Sequence, residues 1–125
     1  MDRKAKAVVC RNWGDPVQVE TITVEGPRRG EITIKIAACG VCHSDLSATT
    51  GKIPYPPPLV LGHEAAGVVV EVGEGVTEFR EGDHVVSSFI SMCGKCRQCV
   101  RGRPVLCENA RKAMFTLPDG TVRTR

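Results

Sequence analysis

Hydrophobic and polar residues alternate along two stretches in the first third of the chain. One is Val17-Gln-Val-Glu-Thr-Ile-Thr-Val24, and the other is Glu31-Ile-Thr-Ile-Lys-Ile36, whose three isoleucines fall on one face. Alternation with a period of two residues predicts half-buried strands. The glycines and the proline of Glu25-Gly-Pro-Arg-Arg-Gly30, which lies between the two stretches, predict a turn.

Further segments continue this pattern of short apolar runs and turns. Ala5–Cys10 is short and apolar, Ala65–Val72 is small and β-branched, and His84–Phe89 is apolar again. Ala65–Val72 predicts a buried strand, and His84–Phe89 predicts another strand. Lys52–Leu59 carries four prolines and predicts a stiff surface loop. The glycine-rich run Gly73–Asp83 predicts a connection built of turns.

One helix is predicted, over residues 45–50. Ser44 or Asp45 would cap its N-terminus, and Gly51 would end it. Near the end of the chain, Pro118-Asp-Gly120 predicts a hairpin-like turn. Short strands, Gly and Pro turns and one short helix together predict a mainly β domain, either a barrel or a sandwich.

Composition and charge exclude several classes of protein. The 125 residues include 17 Lys and Arg against 14 Asp and Glu, and the positive residues are scattered. The balance therefore indicates no nucleic-acid partner and no membrane surface, and the few aromatic residues form no platform for stacked bases. No signal peptide and no apolar run of membrane-spanning length is recognisable. Seven cysteines without an export signal indicate reduced thiols, metal binding and a cytoplasmic location.

Four of the cysteines form a compact motif, the four-cysteine cluster, with two, two and seven residues between them: Cys93, Cys96, Cys99 and Cys107. Thiols at this spacing can converge on one point, and four thiolates make a closed tetrahedral Zn²⁺ site. We therefore expect a structural zinc lobe over about residues 92–108. Disulfides and an iron–sulfur centre are the alternatives, although ferredoxin-type centres use other spacings.

A second group of candidate ligands follows two predicted strands. Cys42 and His63 each come at a strand end, and each is followed by polar residues. A thiolate and an imidazole can share one Zn²⁺ that keeps a position open for water or a substrate oxygen. The carboxylates of Asp45 and Glu64 would then orient the ligands. The alternative is that Cys42 and His63 are ordinary packing residues.

The other cysteines and histidines have structural interpretations. Cys10 and Cys39 lie in apolar strand segments, which predicts small core residues. His84 is expected to face solvent as part of a strand, and His43, judged by itself, to be a surface residue.

Taken together, these motifs resemble one family, the zinc-dependent alcohol dehydrogenases of the medium-chain dehydrogenase/reductase superfamily. The motifs occur in the family's order and approximate spacing: Gly40-Val-Cys-His-Ser-Asp45, Gly62-His-Glu-Ala-Ala-Gly67, Val72-Gly-Glu-Gly-Val76, Gly82-Asp83 and the four-cysteine cluster. The resemblance runs from Lys4 to about Glu108. It implies that residues 1–125 are the N-terminal part of the catalytic domain, a GroES-like, partly open β-barrel that is incomplete at its C-terminus.

The resemblance also implies a role for each residue of the second group. Cys42 and His63 would be two of the three protein ligands of a catalytic zinc, and Glu64 the acidic neighbour that can approach the metal. Asp45 would hydrogen-bond the ligand histidine, and Ser44 would contact the alcohol oxygen and begin proton removal. The implied reaction is NAD(P)-linked oxidation of an alcohol to an aldehyde or ketone, with Zn²⁺ as Lewis acid.

The remaining positions that match the family carry implied roles, and one departs from it. His43 falls where members place a residue near the cofactor pyrophosphate, Phe89 matches a wall of the substrate pocket, and the four-cysteine cluster matches the structural zinc ligands. Many members continue the proton relay at a histidine where this chain has Ser47. Proton exit is therefore expected to use water, Ser47 or His43.

The resemblance leaves the substrate open among alcohols, S-hydroxymethyl thiol adducts and polyols, although the intact four-cysteine cluster favours the first two. The full-length enzyme would be a homo-oligomer. The 125 residues contain neither a third catalytic cysteine ligand nor a Gly-x-Gly-x-x-Gly after a strand, so we expect a truncated dehydrogenase without a Rossmann domain and without activity of its own. The alternatives are a stand-alone zinc-binding scaffold and, by fold analogy only, a co-chaperonin.

Overall fold

The computed structural model describes residues 1–110, which fall into two compact units. The first unit ends at Ser87 and the second begins at Ser88. The described residues form six strands, two short helices and one 3-10 turn: β1 Arg3–Cys10, β2 Gln18–Val24, β3 Ile32–Gly40, α1 His43–Thr49, β4 Leu59–Val60, β5 Glu64–Val72, β6 His84–Val86, α2 Arg97–Val100 and the 3-10 turn Pro104–Leu106.

In the first unit, β1 is the central strand of an antiparallel sheet and pairs with β2 on one side and β4 on the other. Its last two residues, Val9 and Cys10, are 3% and 1% exposed, which places them in the core. The predicted strand Val17–Val24 is confirmed as β2, and the predicted burial of Cys10 is confirmed as well.

The second sheet contains β3, β5 and β6, with β5 in the centre and both pairings antiparallel. The small and β-branched composition of β5 fits its position, because a central strand packs on both sides. The strand predicted over Ala65–Val72 is confirmed with one more residue, Glu64, at its start. Its predicted burial holds only in part, because Gly67 and Val69 are buried whereas Val72 is 36% exposed.

The strand β3 is longer and less regular than its sequence predicts. Its ladder with β5 shifts register between Thr33 and Ile34 and again between Ile36 and Ala38. A bulge adds a residue to one strand and interrupts the strict alternation of faces. At the first shift the extra residue is Val70 of β5, and at the second it is Ala37, which comes after Ile36. The three isoleucines therefore keep their alternate positions along β3, and Ile36, at the end of the run, is 52% exposed.

The helix α1 begins earlier than predicted, because its N-terminal cap is Cys42 and not Ser44 or Asp45. Asp45 is the third helical residue, and its side chain accepts a hydrogen bond from the backbone N–H of Cys42 at 3.1 Å. This reciprocal arrangement satisfies backbone donors that the first turn of a helix leaves unpaired. Gly51, with a φ of +75°, follows the helix as predicted.

The structure also tests several smaller predictions. The proline-rich loop is confirmed, except that Leu59 enters β4. The strand predicted over His84–Phe89 ends at Val86, and the side chain of Ser87, the next residue, bonds to the backbone of Ala65 and of His63. His84 is exposed as predicted, whereas the prediction that Cys39 is a core residue is wrong, since Cys39 is exposed. The predicted turn at 118–120 lies outside the described residues.

Within residues 1–110, no helix has both the length and the apolar character needed to cross a membrane.

Candidate metal centres

The four-cysteine cluster lies entirely in the second unit. Each cysteine offers a sulfur, and the four sulfurs lie within 4.8 Å of one another. Cys96 is the N-terminal cap of α2, Cys99 lies inside that helix, and Cys107 follows the 3-10 turn. Two short helical turns thus bring sulfurs together that are already close in sequence. Cys107 is buried, and the other three are half-buried.

Hydrogen-bond donors point at the sulfurs of this cluster. The Sγ of Cys93 accepts from the backbone N–H of Cys96 and from the side-chain amide of Asn109, each at 3.3 Å. The Sγ of Cys107 accepts from the backbone N–H of Cys93 at 3.3 Å. Donors to sulfur favour the thiolate over the thiol, and the thiolate is the form that binds metal.

The pKa values of the cluster follow from these contacts. The hydrogen bond from Asn109, with those from the backbone of Lys95 and Cys96, lowers the pKa of Cys93 to about 6. Burial, reinforced by the neighbouring thiols, raises the pKa of Cys99 to about 11. Four thiols at this separation therefore do not all ionise readily by themselves. A cation placed among them would remove that conflict, because a coordinating thiol is deprotonated outright.

The geometry and donor type fit Zn²⁺. Four sulfurs at the usual Zn–S length around a tetrahedral ion lie about 3.8 Å apart. The observed separations of up to 4.8 Å need only small shifts to reach that arrangement. All seven cysteines carry free thiols in the structure, so none of these sulfurs is committed to a disulfide.

A second set of possible ligands, the mixed-donor cluster, lies in the first unit and consists of Cys42, His63 and Glu64. One ligand atom from each lies within 4.8 Å of the others. Cys42 comes just after β3, His63 just before β5, and Glu64 is the first residue of β5. Because β3 and β5 are antiparallel neighbours, the end of one lies beside the start of the other. The sheet therefore brings together residues that are well separated in sequence.

Asp45 connects the two segments that carry these ligands. Its Oδ2 accepts from the N–H of Cys42 at 3.1 Å, and its Oδ1 accepts from the N–H of Gly62 at 3.1 Å. The same Oδ1 lies 3.3 Å from Nδ1 of His63. A carboxylate in this position orients the imidazole and leaves its other nitrogen, Nε2, facing the cluster. The carboxylate of Asp45 therefore lies beside the imidazole of His63, and its role toward a metal ligand stays a prediction.

Ser44 contacts two of the ligand atoms. Its hydroxyl lies 3.2 Å from Sγ of Cys42 and 3.2 Å from Nε2 of His63. The hydrogen bonds from Ser44, together with one from His63, lower the pKa of Cys42. Burial by itself would lower the pKa of His63, but the hydrogen bond with Cys42 and the charge of Asp45 outweigh burial and raise it. A hydroxyl, a thiol and an imidazole therefore meet at one point.

The remaining sequence-predicted residues are placed as follows. His43, the first residue of α1, is exposed, and its Nδ1 lies 3.5 Å from the hydroxyl of Ser47 one turn further on. Phe89 belongs to the second unit and is 49% exposed. The roles implied for His43 and Phe89 stay predictions.

Sequence reasoning missed several residues that support the two clusters. Ser87 accepts from the N–H of Ala65 at 2.9 Å and donates to the carbonyl of His63 at 2.7 Å, so it fixes the backbone at the ligand histidine. Asn109 is the side-chain donor to Cys93. Neither follows from a motif, because each depends on which backbone or sulfur the fold places beside it. Proximity to a ligand residue is the one signal that could have pointed to Asn109.

An apolar cavity of about 620 Å³ lies in the first unit behind Asp45. Its walls include Val8 of β1, Val17 just before β2, Leu46 of α1 and the exposed Cys39. The exposed Cys39 is therefore a wall residue of a cavity and not part of the packed core.

Comparison with known proteins assigns the fold. The family model of the alcohol dehydrogenase GroES-like domain matches residues 28–124. The chain belongs to this family. The GroES-like fold is confirmed by the solved structure of an alcohol dehydrogenase zinc-binding domain protein from Burkholderia ambifaria, which superposes with a TM-score of 0.94 at 36% identity. That match covers 100% of this chain and 34% of the other.

Two curated relatives of this GroES-like domain are enzymes. The NDMA-dependent alcohol dehydrogenase of Amycolatopsis methanolica is 46% identical over 121 residues, which are 96% of this chain and 33% of that protein. The S-(hydroxymethyl)glutathione dehydrogenase of Escherichia coli O1:K1 is 44% identical over 123 residues, again 96% of this chain and 33% of that protein. The chain therefore spans about a third of the length of the curated relatives it matches.

Proposed function

We propose that residues 1–125 are the first part of the catalytic domain of a zinc-dependent, NAD(P)-linked alcohol dehydrogenase. One observation carries the proposal: the hydroxyl of Ser44 lies within hydrogen-bond distance of both Cys42 Sγ and His63 Nε2, at the edge where β3 ends and β5 begins. A hydroxyl beside two metal-ligand atoms is placed to exchange a proton with an alcohol that approaches the same point. Membership in the alcohol dehydrogenase family supports this assignment.

The two clusters would hold zinc in two different ways. In the four-cysteine cluster every donor is a cysteine sulfur, which as a zinc-bound thiolate suits a closed structural site. In the mixed-donor cluster, Cys42 and His63 would be the ligands, with Glu64 close enough to add its carboxylate. When bound there, the ion supplies Lewis acidity, which makes an alcohol hydroxyl a stronger acid.

The protein's own residues would then handle the proton and the orientation. Ser44 Oγ would accept the proton of the alcohol hydroxyl, and Asp45 would keep the imidazole of His63 oriented through its Nδ1. From Ser44 the proton would leave through water or through His43 and Ser47, whose side chains lie 3.5 Å apart on one face of α1. A nicotinamide cofactor, when bound, would accept one hydrogen of the alcohol carbon together with its bonding electron pair, as hydride.

We propose a small alcohol or a hydroxymethyl thiol adduct as the substrate. The relative from Amycolatopsis methanolica is named an alcohol dehydrogenase, and the one from Escherichia coli acts by its name on S-(hydroxymethyl)glutathione. Phe89 would form part of the pocket wall and His43 would lie near the cofactor pyrophosphate. The complete enzyme would be a homo-oligomer in the cytoplasm, a location that the seven free thiols favour.

Residues 1–125 alone should not oxidise alcohol, because no Gly-x-Gly-x-x-Gly follows a strand in this sequence to bind the nicotinamide cofactor. The test is to incubate the purified chain with NAD⁺ or NADP⁺ and a series of alcohols and follow cofactor reduction. Reduction that depends on alcohol would contradict this part of the proposal.

Zinc content tests the two-centre proposal against the alternative of a zinc-binding scaffold. We expect two equivalents of zinc per chain in the wild type and one in the His63→Ala variant. His84→Ala is the matched control, because His84 is an exposed histidine on a neighbouring strand of the same sheet. A wild type that binds one equivalent, at the four-cysteine cluster alone, would favour the scaffold.

A further inference from the structure

Gly40 lies directly opposite Glu64 in the β3–β5 ladder. A Cβ atom built on Gly40 would overlap the carboxylate oxygen Oε2 of Glu64 and would lie 3.2 Å from its Cβ and 3.3 Å from its Cδ. Carbon atoms prefer separations of about 3.5–4.0 Å. The space beside Gly40 that a side chain would occupy is therefore filled by the side chain of Glu64.

The backbone at this position does not itself require glycine. Among the described residues, glycines with a positive φ are found at eight positions, and Gly40 is not one of them. Gly40 is instead the last residue of β3, in extended conformation. Any residue can adopt that conformation, so what glycine provides here is room and not conformational freedom.

We infer that Gly40 is a positioning residue for the mixed-donor cluster. The absence of a side chain at Gly40 lets the Glu64 carboxylate lie against β3, where its oxygen is within 4.8 Å of the ligand atoms of Cys42 and His63. A side chain at position 40 would push the carboxylate out of the donor set. This inference rests on the proposed metal centre and adds the residue that determines whether Glu64 belongs to it.

A second glycine in the same ladder shows why the effect at Gly40 should be specific. A Cβ atom on Gly67 would overlap the backbone carbonyl of Lys35 and approach the Cα of Ile36 to 3.0 Å. Backbone atoms in a paired strand cannot move aside without disrupting the sheet. At Gly40 the overlapping atom is the end of a flexible side chain, so a Gly40→Ala chain should fold and respond by moving Glu64.

The test measures Co²⁺ binding at the mixed-donor cluster in the full 125-residue chain. One equivalent of Zn²⁺ first fills the four-cysteine cluster, where it outcompetes Co²⁺. Co²⁺ is then titrated, and the thiolate-to-cobalt absorption reports binding at Cys42. We compare the wild type with Gly40→Ala, Glu64→Ala and the double variant, and Ala38→Ser is the control because it enlarges an exposed residue of β3 that faces Ala66 and not Glu64.

We expect Gly40→Ala and Glu64→Ala each to weaken Co²⁺ binding about tenfold. The double variant should bind no more weakly than Glu64→Ala, because the side chain that Gly40→Ala displaces is then absent. Ala38→Ser should bind as the wild type does. Wild-type affinity in Gly40→Ala, or additive losses in the double variant, would overturn the inference.

Two other outcomes also decide whether the inference about Gly40 holds. If the wild type binds no second metal, the proposed metal centre itself fails, and the inference fails with it. If Gly40→Ala does not fold, circular dichroism of the double variant decides the cause. Recovery of the fold when Glu64 is truncated supports the inference, whereas failure of both variants shows that β3 rejects any side chain at position 40 and overturns it.

Discussion

The two clusters are built from chain segments of very different sequence separation. The four-cysteine cluster takes all its donors from one short segment, in which two helical turns and the tight turn at Gly94 suffice to gather them. The mixed-donor cluster takes its donors from the ends of two different strands and exists only because β3 and β5 pair. A site of the first kind depends on local geometry, and a site of the second kind depends on a sheet.

The surroundings of the two clusters differ in the same way. Backbone N–H groups and Asn109 donate to the sulfurs of the four-cysteine cluster, so most of its support comes from the segment that contains it. The mixed-donor cluster is supported by Asp45 on α1 and by Ser87 after β6. Substitutions that disturb the four-cysteine cluster should therefore lie mostly within its own segment. The mixed-donor cluster should be disturbed by substitutions on several different elements.

The largest effect is expected from the loss of a ligand in the four-cysteine cluster. Cys99→Ser should remove one equivalent of bound zinc and destabilise the second unit, because the binding free energy of a structural zinc is also folding free energy. The measurement is zinc content together with the thermal unfolding transition. Cys39→Ser is the control, since Cys39 is exposed and belongs to neither cluster.

The comparison between the clusters predicts that Cys99→Ser leaves the mixed-donor cluster intact. Co²⁺ binding reported by Cys42 should keep its wild-type affinity in this variant. A parallel loss of both metals would show that the two centres depend on each other and that the comparison is wrong.

A smaller effect is expected at Asp45, which supports the mixed-donor cluster from outside. Asp45→Ala should weaken the second metal about 10- to 100-fold, because it removes the partner of His63 Nδ1 and the bonds to two backbone amides. It should also cost about 1 kcal/mol of stability through the lost hydrogen bonds to the backbone of Cys42 and Gly62. Metal titration and chemical denaturation measure the two effects separately.

Asp83 provides a matched control for this prediction. It too accepts a hydrogen bond from a backbone N–H three residues away, that of Arg80, and its own backbone bonds to Val69 in the middle of β5. Asp83→Ala should cost stability without changing the affinity for the second metal. Equal metal affinities in the two variants would mean that Asp45 acts only as a helix cap.

A still smaller effect on metal affinity is expected from a substitution at Asn109. Asn109→Ala should weaken zinc binding at the four-cysteine cluster about tenfold, because it removes one donor to Cys93. In the metal-free protein the same change should raise the pKa of Cys93, which now lies at about 6. The pH dependence of Cys93 alkylation, with the modified residue identified by mass spectrometry, checks this, and an unshifted profile would contradict it.

The smallest effect is expected on the surface of β5, at Glu71. Hydrogen bonds from the N-terminal amine and from Arg3 lower the pKa of Glu71, and the charges of both groups act in the same direction. A carboxylate with a depressed folded pKa adds stability above its unfolded pKa and loses it as pH falls through the folded value. Glu71→Gln should therefore flatten the acid side of the stability profile slightly.

Glu71 and Glu64 lie on the same strand, β5, so the Glu71 variant also tests whether a change far along that strand affects the mixed-donor cluster. Glu71→Gln should leave Co²⁺ affinity at the mixed-donor cluster unchanged. Denaturation midpoints at several pH values, measured beside the metal titration, would show whether the far end of β5 influences the cluster.

The sequence by itself determined the mainly β class, most strand positions and the membership of the four-cysteine cluster. Strand positions follow from the two-residue period, and the cluster follows from ligands so near in sequence that few backbone paths keep them apart. Positions at predicted strand ends also suggested Cys42 and His63 as ligands, with Asp45 and Glu64 beside them, and the resemblance to zinc-dependent alcohol dehydrogenases added a role for Ser44. The two-residue period of β3 holds as far as Ile36 and is interrupted by the bulge at Ala37 that follows it.

Only the tertiary structure decided how the mixed-donor cluster is supported. The pairing of Gly40 with Glu64, the bond from Gly62 to Asp45 and the contact of Ser87 with the carbonyl of His63 each depend on how distant segments pair. Register is set by which residues of distant strands face each other, and a single strand's sequence carries no record of its partner. The sequence therefore shows which donor residues are present, while the folded sheet determines which of them lie close together.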